Sequence, residues 1–293
     1  MITVVGSVNM DLVVEAVKRP VQGETLLGNS FSTFPGGKGS NQAVAAARLG
    51  GNVNFVGSVG LDSFGEDLQN HLLKEGICID YLDIDNAQST GVATIILAEG
   101  DNSIIVVPGA NFSLSPSHIQ KVNEVLPKSS MVIVQLEILP ETVERVLELC
   151  QKHKVPVLLN PAPAASCTKE MIEMATYITP NETECIEIFG GYSDEILKTY
   201  PNKLIVTLGA AGAAYYDGTE VVQVSGYKTS VVDTTGAGDT FNGALGFAIS
   251  EGYALREAVQ FANAAASLSV EKLGAQQGMP SFDDVRNRLA NRN

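Results

Sequence analysis

The chain has 293 residues, of which 45% are hydrophobic and 18% are charged. This composition supports a large buried core and excludes intrinsic disorder, and the length is typical of one large α/β domain with a small appendage. The formal net charge of −14 at pH 7 argues against nucleic acid or an anionic membrane as the partner. An anionic substrate must therefore be bound by local features, such as helix N-termini, a few Lys or Arg side chains, or bound cations.

The cysteine pattern and the first residues predict the compartment. Met1–Val5 enters a strand immediately, which leaves no room for a signal or transit peptide, and no apolar run reaches membrane-spanning length. Four cysteines without CxxC spacing indicate reduced thiols: Cys78, Cys150, Cys167 and Cys185. The histidines lie in polar, helix-like stretches, which argues against a His–Cys metal site: His71, His118 and His153. We expect a cytoplasmic protein.

Strand-like and helix-like segments alternate along the chain. Short apolar or β-branched runs predict strands at Ile2–Val5, Val53–Val56, Met131–Gln135, Val157–Asn160, Tyr177–Thr179 and Leu204–Thr207. Helical spacing predicts helices at Ser40–Leu49, Phe64–Glu75, Ser115–Val125, Glu141–His153, Lys169–Met174, Leu255–Val270 and Phe282–Ala290. This rhythm predicts an α/β fold, a doubly wound and mostly parallel sheet with helices on both faces.

Two segments break the rhythm within what we take to be a single domain, residues 1–293. Asp11–Phe34 and Ile84–Val107 carry alternating strands separated by turns, which predicts antiparallel hairpins that form a small β lid over one side of the site. The strand-like runs Thr94–Leu97 and Ser103–Val107 are apolar and β-branched. Because an exposed sheet of this kind is an association hazard, we expect the lid to pair with a second subunit.

Polar residues follow the first strand. Asn9 and Asp11 are two residues apart in extended chain, so they share one face and suit the binding of vicinal hydroxyls, while Met10 should point to the core. An Asx-rich turn is the alternative. The next glycine-rich stretch, Phe34–Ala43, is not a P-loop, because Gly39 follows Lys38, and it is not a dinucleotide fingerprint, because Gln42 stands where the third glycine belongs. It allows close approach of a small polar ligand, although a flexible turn would also tolerate its residues.

Two further turns follow strands. Asn181–Glu184 offers carboxylates and an amide that suit a hydrated magnesium ion, and it fits a capping box equally well, with Asn181 as N-cap and Glu184 at the third position. Both interpretations can hold together. Thr207–Gly212 is a small-residue turn that could lie along a nucleotide, but by itself it is uninformative.

The stretch Asp233–Gly243 is the most informative of the chain. A small-residue turn at a helix N-terminus presents unpaired amides to an anion, and a carboxylate planted there would repel a phosphate unless it takes a proton from an attacking nucleophile. This combination indicates phosphoryl transfer to a hydroxyl, with Asp239 as base and the amides of Gly236–Gly238, including Ala237, holding the developing charge. An Asp N-cap after a glycine turn is the alternative. Carbonyls of the loop Lys272–Gly278, together with Asp233, could bind a monovalent cation under the turn.

Taken in order and spacing, these motifs resemble the ribokinase family of carbohydrate kinases. The resemblance runs essentially end to end, through Gly6–Asp11, Gly36–Ala43, Asn160–Pro163, Thr179–Glu184 and Asp233–Gly243. It implies a doubly wound α/β domain with a β lid that also forms a dimer contact. It also implies ATP-dependent phosphorylation of D-ribose to D-ribose 5-phosphate, with ATP and Mg²⁺ as cofactors and K⁺ as an activating ion.

The resemblance also implies roles for individual residues. Ribose contacts are implied at Asn9, Asp11, Gly37, Lys38, Gly39, Asn41 and Glu137, with Asp239 as base. Nucleotide contacts are implied at Asn181, Thr207, Gly209, Gly212, Gly238 and Asn263. A potassium site is implied at Asp233, Thr235, Ser269, Lys272, Gly274 and Gly278, the last four through backbone oxygens. The loop of Glu184 resembles the segment that orders magnesium-bound water.

Two alternatives stay open at this point. The substrate could be 2-deoxyribose, another small sugar or a nucleoside, because bulky Met10 lies between Asn9 and Asp11. The chain could instead be a sugar-binding regulator that has lost turnover, although the intact Asp239 and the absence of a basic DNA-binding patch in the sequence argue against this.

Overall fold

Strands and helices alternate along residues 1–291, which a computed structural model describes. The strands are β1 (Ile2–Val5), β2 (Asn9–Glu15), β3 (Ser30–Gly36), β4 (Val53–Gly60), β5 (Cys78–Asp85), β6 (Gly91–Ala98), β7 (Asp101–Val107), β8 (Met131–Gln135), β9 (Val157–Asn160), β10 (Tyr177–Ile178), β11 (Ile205–Thr207), β12 (Ala213–Tyr216) and β13 (Val221–Val224). The helices are α1 (Lys38–Arg48), α2 (Ser63–Lys74), α3 (Pro116–Lys121), α4 (Pro140–His153), α5 (Lys169–Met174), α6 (Glu182–Phe189), α7 (Asp194–Thr199), α8 (Ala237–Ser250), α9 (Leu255–Ser269) and α10 (Phe282–Ala290).

The central sheet is parallel, with strand order β10-β9-β8-β1-β4-β5. Its β1 residues alternate between two hydrophobic cores, one on each face. Val4 lies opposite Phe55 and Ile133 and packs in the core that α1, α8 and α9 cover. Val5 packs in the other core, which α4 and α5 cover. The predicted doubly wound α/β fold is confirmed, and the carboxyl ends of its strands meet at one edge.

The lid is a four-stranded sheet of order β3-β2-β6-β7. Its two hairpins are antiparallel, and they join through a parallel pairing of β2 with β6, in which Asp11 lies opposite Ala93. The second lid segment begins later than expected. Ile84 pairs with Val59 of β4 and so belongs to the central sheet, and the lid resumes at β6.

Two other elements differ from the predictions. The strand predicted at Leu204–Thr207 is β11. It pairs with β12, which also pairs with β13, in an antiparallel three-stranded sheet. Isolated parallel bridges join Leu204 to Ile178 of β10 and Thr207 to Asn181. The helix predicted at Ser115–Val125 ends at α3 and continues as a 3₁₀ turn, Val122–Glu124, because β-branched and Asn residues have low helix propensity. In the part of the chain that the structure describes, no helix is both long and apolar enough to cross a membrane.

Candidate active site

A glycine forms the N-cap of α8, within the most informative motif. Gly236 is left-handed (φ 76°), and no side chain of residues 1–291 caps the helix. The Ala237 amide donates to the Thr234 carbonyl (3.2 Å), whereas a Cβ built on Gly238 would meet open space. The N-terminus of α8 therefore presents bare backbone around Gly238, as an anion site requires.

Asp239 lies in the first turn of α8 and is only 7% exposed. Its Oδ2 accepts a hydrogen bond from Asn41 Nδ2 (2.8 Å), and its Oδ1 accepts one from Gln42 Nε2 (3.0 Å). The alternative that Asp239 is the helix cap is wrong, because Gly236 is the N-cap and both carboxylate oxygens bond to α1. The carboxylate lines the cleft beside Gly238, where a base for a substrate hydroxyl would lie.

The second glycine-rich turn begins α1 and packs directly on the chain that leads into β2. Gly37 is the N-cap, with φ 89°, and a Cβ there would lie 2.8 Å from both Asn9 N and Val8 Cα. The Gly39 amide donates to Ser7 Oγ (3.3 Å). This close approach, which glycine permits, brings the start of α1 to the end of β1.

Acidic side chains surround Lys38. Glu137 accepts hydrogen bonds from the Ser7 hydroxyl (2.6 Å) and from the Lys38 amide (3.1 Å). Burial and then the charges of Glu137 and Asp239 raise the pKa of Asp11 to about 7. Burial lowers the pKa of the Lys38 ammonium, but the charges of three carboxylates, Asp239 foremost, outweigh it and the net pKa is raised. Lys38 therefore remains charged among these acids.

Asn9 and Asp11 lie on β2, on either side of Met10. Met10 is 4% exposed and packs in the hydrophobic core, so the prediction that it points away from this pair is confirmed. Asn9 is 4% exposed, and its Oδ1 accepts a hydrogen bond from Asn111 Nδ2 (2.7 Å). Asn111 also accepts from the Val8 amide (2.9 Å), so it fixes the start of β2 at two points.

A cleft of about 200 Å³ extends from Asp239 to residues that follow β10 and end β11, Asn181 and Thr207. Asn181 and Glu184 line it and form a reciprocal capping box at the start of α6, with Glu184 N donating to Asn181 Oδ1 (2.8 Å) and Asn181 N to Glu184 Oε2 (2.9 Å). Burial raises the pKa of Glu184. The remaining lining residues are Lys38, Asn160, Ala162, Thr179, Thr207, Gly236, Gly238, Asp239 and Asn242. The capping box is thus present, and its Glu184 also faces the cleft.

Three of the expected nucleotide residues lie outside this cleft: Gly209, Gly212 and Asn263. Gly209 begins a single 3₁₀ turn after β11. Asn263 Nδ2 donates to the Val224 carbonyl (2.8 Å), and a Cβ on Gly212 would lie 2.1 Å from the same oxygen. The turn after β11, the end of β13 and α9 therefore meet in one place, outside the cleft that Asp239 lines.

Comparisons with known proteins agree with this architecture. Residues 1–281 match the pfkB family of carbohydrate kinases. The chain belongs to the pfkB family. It is 48% identical over 290 residues to a ribokinase of Bacillus subtilis, covering 99% of each chain, and 35% identical over 302 residues to a deoxyribokinase of Salmonella typhi, covering 99% of this chain and 98% of the other. A solved ribokinase from Arabidopsis thaliana, complexed with ribose and ATP, superposes with a TM-score of 0.89 at 34% identity over 98% of both chains.

This pfkB family member is a carbohydrate kinase.

A second turn, before the N-terminus of α8, is the one expected to bind a cation. Asp233 Oδ1 accepts from the Thr235 amide (2.9 Å) and hydroxyl (2.7 Å), and Asp233 Oδ2 accepts from the Gly274 amide (2.8 Å). Burial would raise the pKa of Asp233, but these bonds lower it further than burial raises it. A Cβ on Gly278 would lie 1.9 Å from the Ser269 carbonyl oxygen. The structure thus brings together Asp233, Thr235 and Gly274, and separately Ser269 and Gly278, whereas the Lys272 side chain is exposed.

A wider cleft of about 500 Å³ opens between the lid and the body. Asp11 and the apolar side chains of Val13 and Leu97 line it from the lid, and Val232 and Leu273 line it from the body. Asp11 is therefore placed between the open space under the lid and the acidic cluster around Lys38.

The hydrogen bonds of two buried glutamines near Asp239 were not predicted from the sequence. Gln42 donates to Asp239 and also to Asn160 Oδ1 (3.1 Å), and it accepts from Gln135 Nε2 (2.6 Å). Gln276 donates to Asn41 Oδ1 (2.8 Å). The one available signal was Gln42 itself, a large polar residue in the position where a glycine motif would need glycine.

Proposed function

We propose that this chain transfers the γ-phosphoryl group of ATP to the primary hydroxyl of D-ribose, forming D-ribose 5-phosphate. The observation that carries the proposal is the buried Asp239 carboxylate, held by two amide donors beside the uncapped N-terminus of α8. The names of the similar proteins, ribokinases among them, support the same substrate and donor.

In the proposed mechanism, Asp239 takes the proton as the sugar oxygen attacks phosphorus. The ribose contacts are proposed at Asn9, Asp11, Gly37, Lys38, Gly39, Asn41 and Glu137. Charge that develops on the transferred group would be held by the amides of the Gly236–Gly238 turn. Gly238 is the best placed of these, because the Ala237 amide already donates to the Thr234 carbonyl. Lys38, charged and lining the same cleft, would add a cation.

The nucleotide contacts are proposed at Asn181, Thr207, Gly209, Gly212, Gly238 and Asn263. Mg²⁺ is proposed in the cleft that Glu184 lines, since carboxylate oxygens bind this ion directly or through water. The ion would neutralise charge on the nucleotide phosphates. The residues that would hold it in place are Glu184 and, through the capping box, Asn181.

An activating K⁺ is proposed at the turn of Asp233, together with Thr235, Ser269, Lys272, Gly274 and Gly278. The proposed set would suit a large monovalent cation, because it would combine the Asp233 carboxylate, which accepts from the Gly274 amide, with backbone carbonyls such as that of Ser269 beside Gly278. Bound there, K⁺ would offset negative charge beneath α8. Turnover measured in matched sodium and potassium buffers should be higher in potassium, and equal rates would count against the site.

The experiment that tests the substrate is a coupled ADP-release assay with ribose, 2-deoxyribose, fructose and adenosine. A deoxyribokinase is among the similar proteins, so 2-deoxyribose is the second candidate. The observation favouring ribose is that Met10 is buried in the core and leaves the Asn9–Asp11 face clear. We expect kcat/KM to favour ribose by up to about 10⁴-fold, since a site built around a hydroxyl leaves its own polar groups unpaired without it. A ratio of one or below would transfer the proposal to 2-deoxyribose, and no ADP release with any of the sugars would favour a regulator.

We also propose a cytoplasmic homodimer that pairs through the lid. On β7 the side chains of Ile104 to Val107 are 48–66% exposed. A second lid would cover these side chains. A dimeric mass by light scattering at micromolar concentration is expected, and a monomeric mass would contradict it.

A further inference from the structure

Two glutamines, Gln276 and Gln135, each donate a hydrogen bond to one of the two residues that bond Asp239. We propose that Gln276 and Gln135 are positioning residues for Asp239. Gln276 Nε2 donates to Asn41 Oδ1 (2.8 Å), and Gln135 Nε2 donates to Gln42 Oε1 (2.6 Å). Each glutamine thereby fixes the amide that bonds one oxygen of the carboxylate. The inference rests on the proposed role of Asp239 as an ionised base.

The direction of the hydrogen bonds in both paths to Asp239 follows from the charge of its carboxylate. An ionised carboxylate only accepts hydrogen bonds, so Asn41 and Gln42 must each turn an NH₂ group toward Asp239. Their carbonyl oxygens then point away and need donors of their own. Gln276 and Gln135 supply those donors from the far side. A reversed Asn41 amide would lose both of its bonds, because oxygen would face the carboxylate and nitrogen would face the NH₂ of Gln276.

The series of hydrogen bonds through Gln276 continues to a histidine. Gln276 Oε1 lies 2.6 Å from His71 Nε2 on α2. Because this oxygen can only accept, His71 must carry a proton on Nε2. Gln276 is held from its main chain as well, since the Arg48 guanidinium donates to its carbonyl oxygen. The orientation of the amide at Asn41 is thus fixed through Gln276 by His71 of α2.

Solvent cannot take over these roles. Gln42 and Gln135 are fully buried, and Asn41 and Gln276 are each 5% exposed. Gln135 Oε1 has no hydrogen-bond partner among residues 1–291, so the bond of Gln135 to Gln42 is made by its NH₂ group alone. A buried amide that loses its donor finds no water to replace it, so Asn41 or Gln42 would rotate and the carboxylate would lose its fixed direction.

The test compares Gln276→Met with Gln277→Met. Met keeps the length of the side chain and removes both polar ends, and Gln277 is the exposed neighbour on the same loop. We expect Gln276→Met to lower kcat about tenfold, with the sugar KM changing less, because a displaced base acts mainly on the chemical step. Gln276→Glu should lose more than Gln276→Met, since its carboxylate would face the carbonyl oxygen of Asn41. A kcat within about twofold of the parent for both Gln276 variants would overturn the proposal.

A double-mutant cycle with Asp239→Asn separates positioning from general structure. Without the carboxylate there is nothing left to position, so adding Gln276→Met should change the residual kcat by less than about twofold. A tenfold loss in both backgrounds would show a structural role and overturn the inference. Near-normal turnover of Asp239→Asn alone would instead refute the proposed base. Gln135→Met should repeat the pattern; if it does not fold, as thermal unfolding would show, the Gln276 variants decide.

Discussion

The two sides of the cleft are built from different kinds of contact. On the side proposed to bind the sugar (the acceptor side), Asp239 bonds to Asn41 and Gln42, which are 198 and 197 residues away in the chain. On the side proposed to bind ATP (the nucleotide side), Asn181 and Glu184 bond to each other across three residues. The acceptor side is buried, with Asp239 7% exposed, whereas Asn181 is exposed.

This difference indicates how each side responds to change. A buried network of distant residues forms only when the whole fold is in place, and its members depend on one another. A capping box forms within one helical turn and stands alone. Substitutions on the acceptor side should therefore act together and on kcat, while substitutions on the nucleotide side should act separately and mainly on the KM for ATP.

The largest expected effect is at the base. Asp239→Asn should lower kcat by about a hundredfold or more, with the sugar KM within a few-fold, because a base acts mainly in the transition state. The steady-state rate of ADP release measures both constants. Asp67→Asn, an exposed acid on α2, is the matched control and should behave as the parent. Near-normal turnover of Asp239→Asn would contradict the expectation that substitutions on the acceptor side act on kcat.

A second effect tests the turn after β11. Gly212→Ala should raise the KM for ATP about tenfold, because Gly212 has φ 97° and a Cβ would lie 2.1 Å from the Val224 carbonyl oxygen. Gly218→Ala, in the exposed turn between β12 and β13, is the matched control. Gly218 also has a positive φ, 103°, but a Cβ there meets nothing within 4 Å. Its KM for ATP should match that of the parent, and an unchanged KM for ATP in Gly212→Ala as well would show that the turn after β11 does not touch the nucleotide.

A smaller effect is expected at the capping box. Asn181→Ala removes the N-cap of α6, worth about 1 kcal/mol, and should raise the KM for ATP a few-fold without a matching loss of kcat. Ser193→Ala removes the N-cap of the next helix, α7, which does not line the cleft. It should lower stability similarly and leave the KM for ATP unchanged. If the KM for ATP changed equally in both variants, Asn181 would only cap its helix.

The same contrast explains what could be predicted from the sequence. The α/β fold followed from strand and helix periodicity, and the Asn181–Glu184 box followed from its three-residue spacing, since both signals are local. Asp239 was recognisable because a carboxylate in a glycine turn is unusual. The roles of Gln42 and Gln276 could not be found in this way. Their partners are brought near only by packing of α1 against α8 and the loop after α9, which no local pattern encodes.

Asp11 gives the smallest and most specific effect, a change in stability with pH. Its pKa of about 7, raised from 3.8, means that the folded protein holds this proton more tightly than the unfolded chain does. Stability contributed by the protonated group is therefore present at low pH and is lost as the pH rises from about 4 through about 7.

Asp11→Asn resembles the protonated carboxyl and cannot ionise, so it removes this loss. Without sugar or nucleotide, the Tm of Asp11→Asn should match the parent near pH 4 and exceed it by a few degrees at pH 8. Asp80→Asn, an exposed acid on β5, is the matched control for the exchange of a carboxylate for an amide. Scanning calorimetry from pH 4 to pH 8 makes the comparison. A constant difference for Asp11→Asn would mean that this carboxylate is accommodated as easily as an exposed one. Neither burial nor the charges of Glu137 and Asp239 would then disfavour its ionised form before the sugar binds.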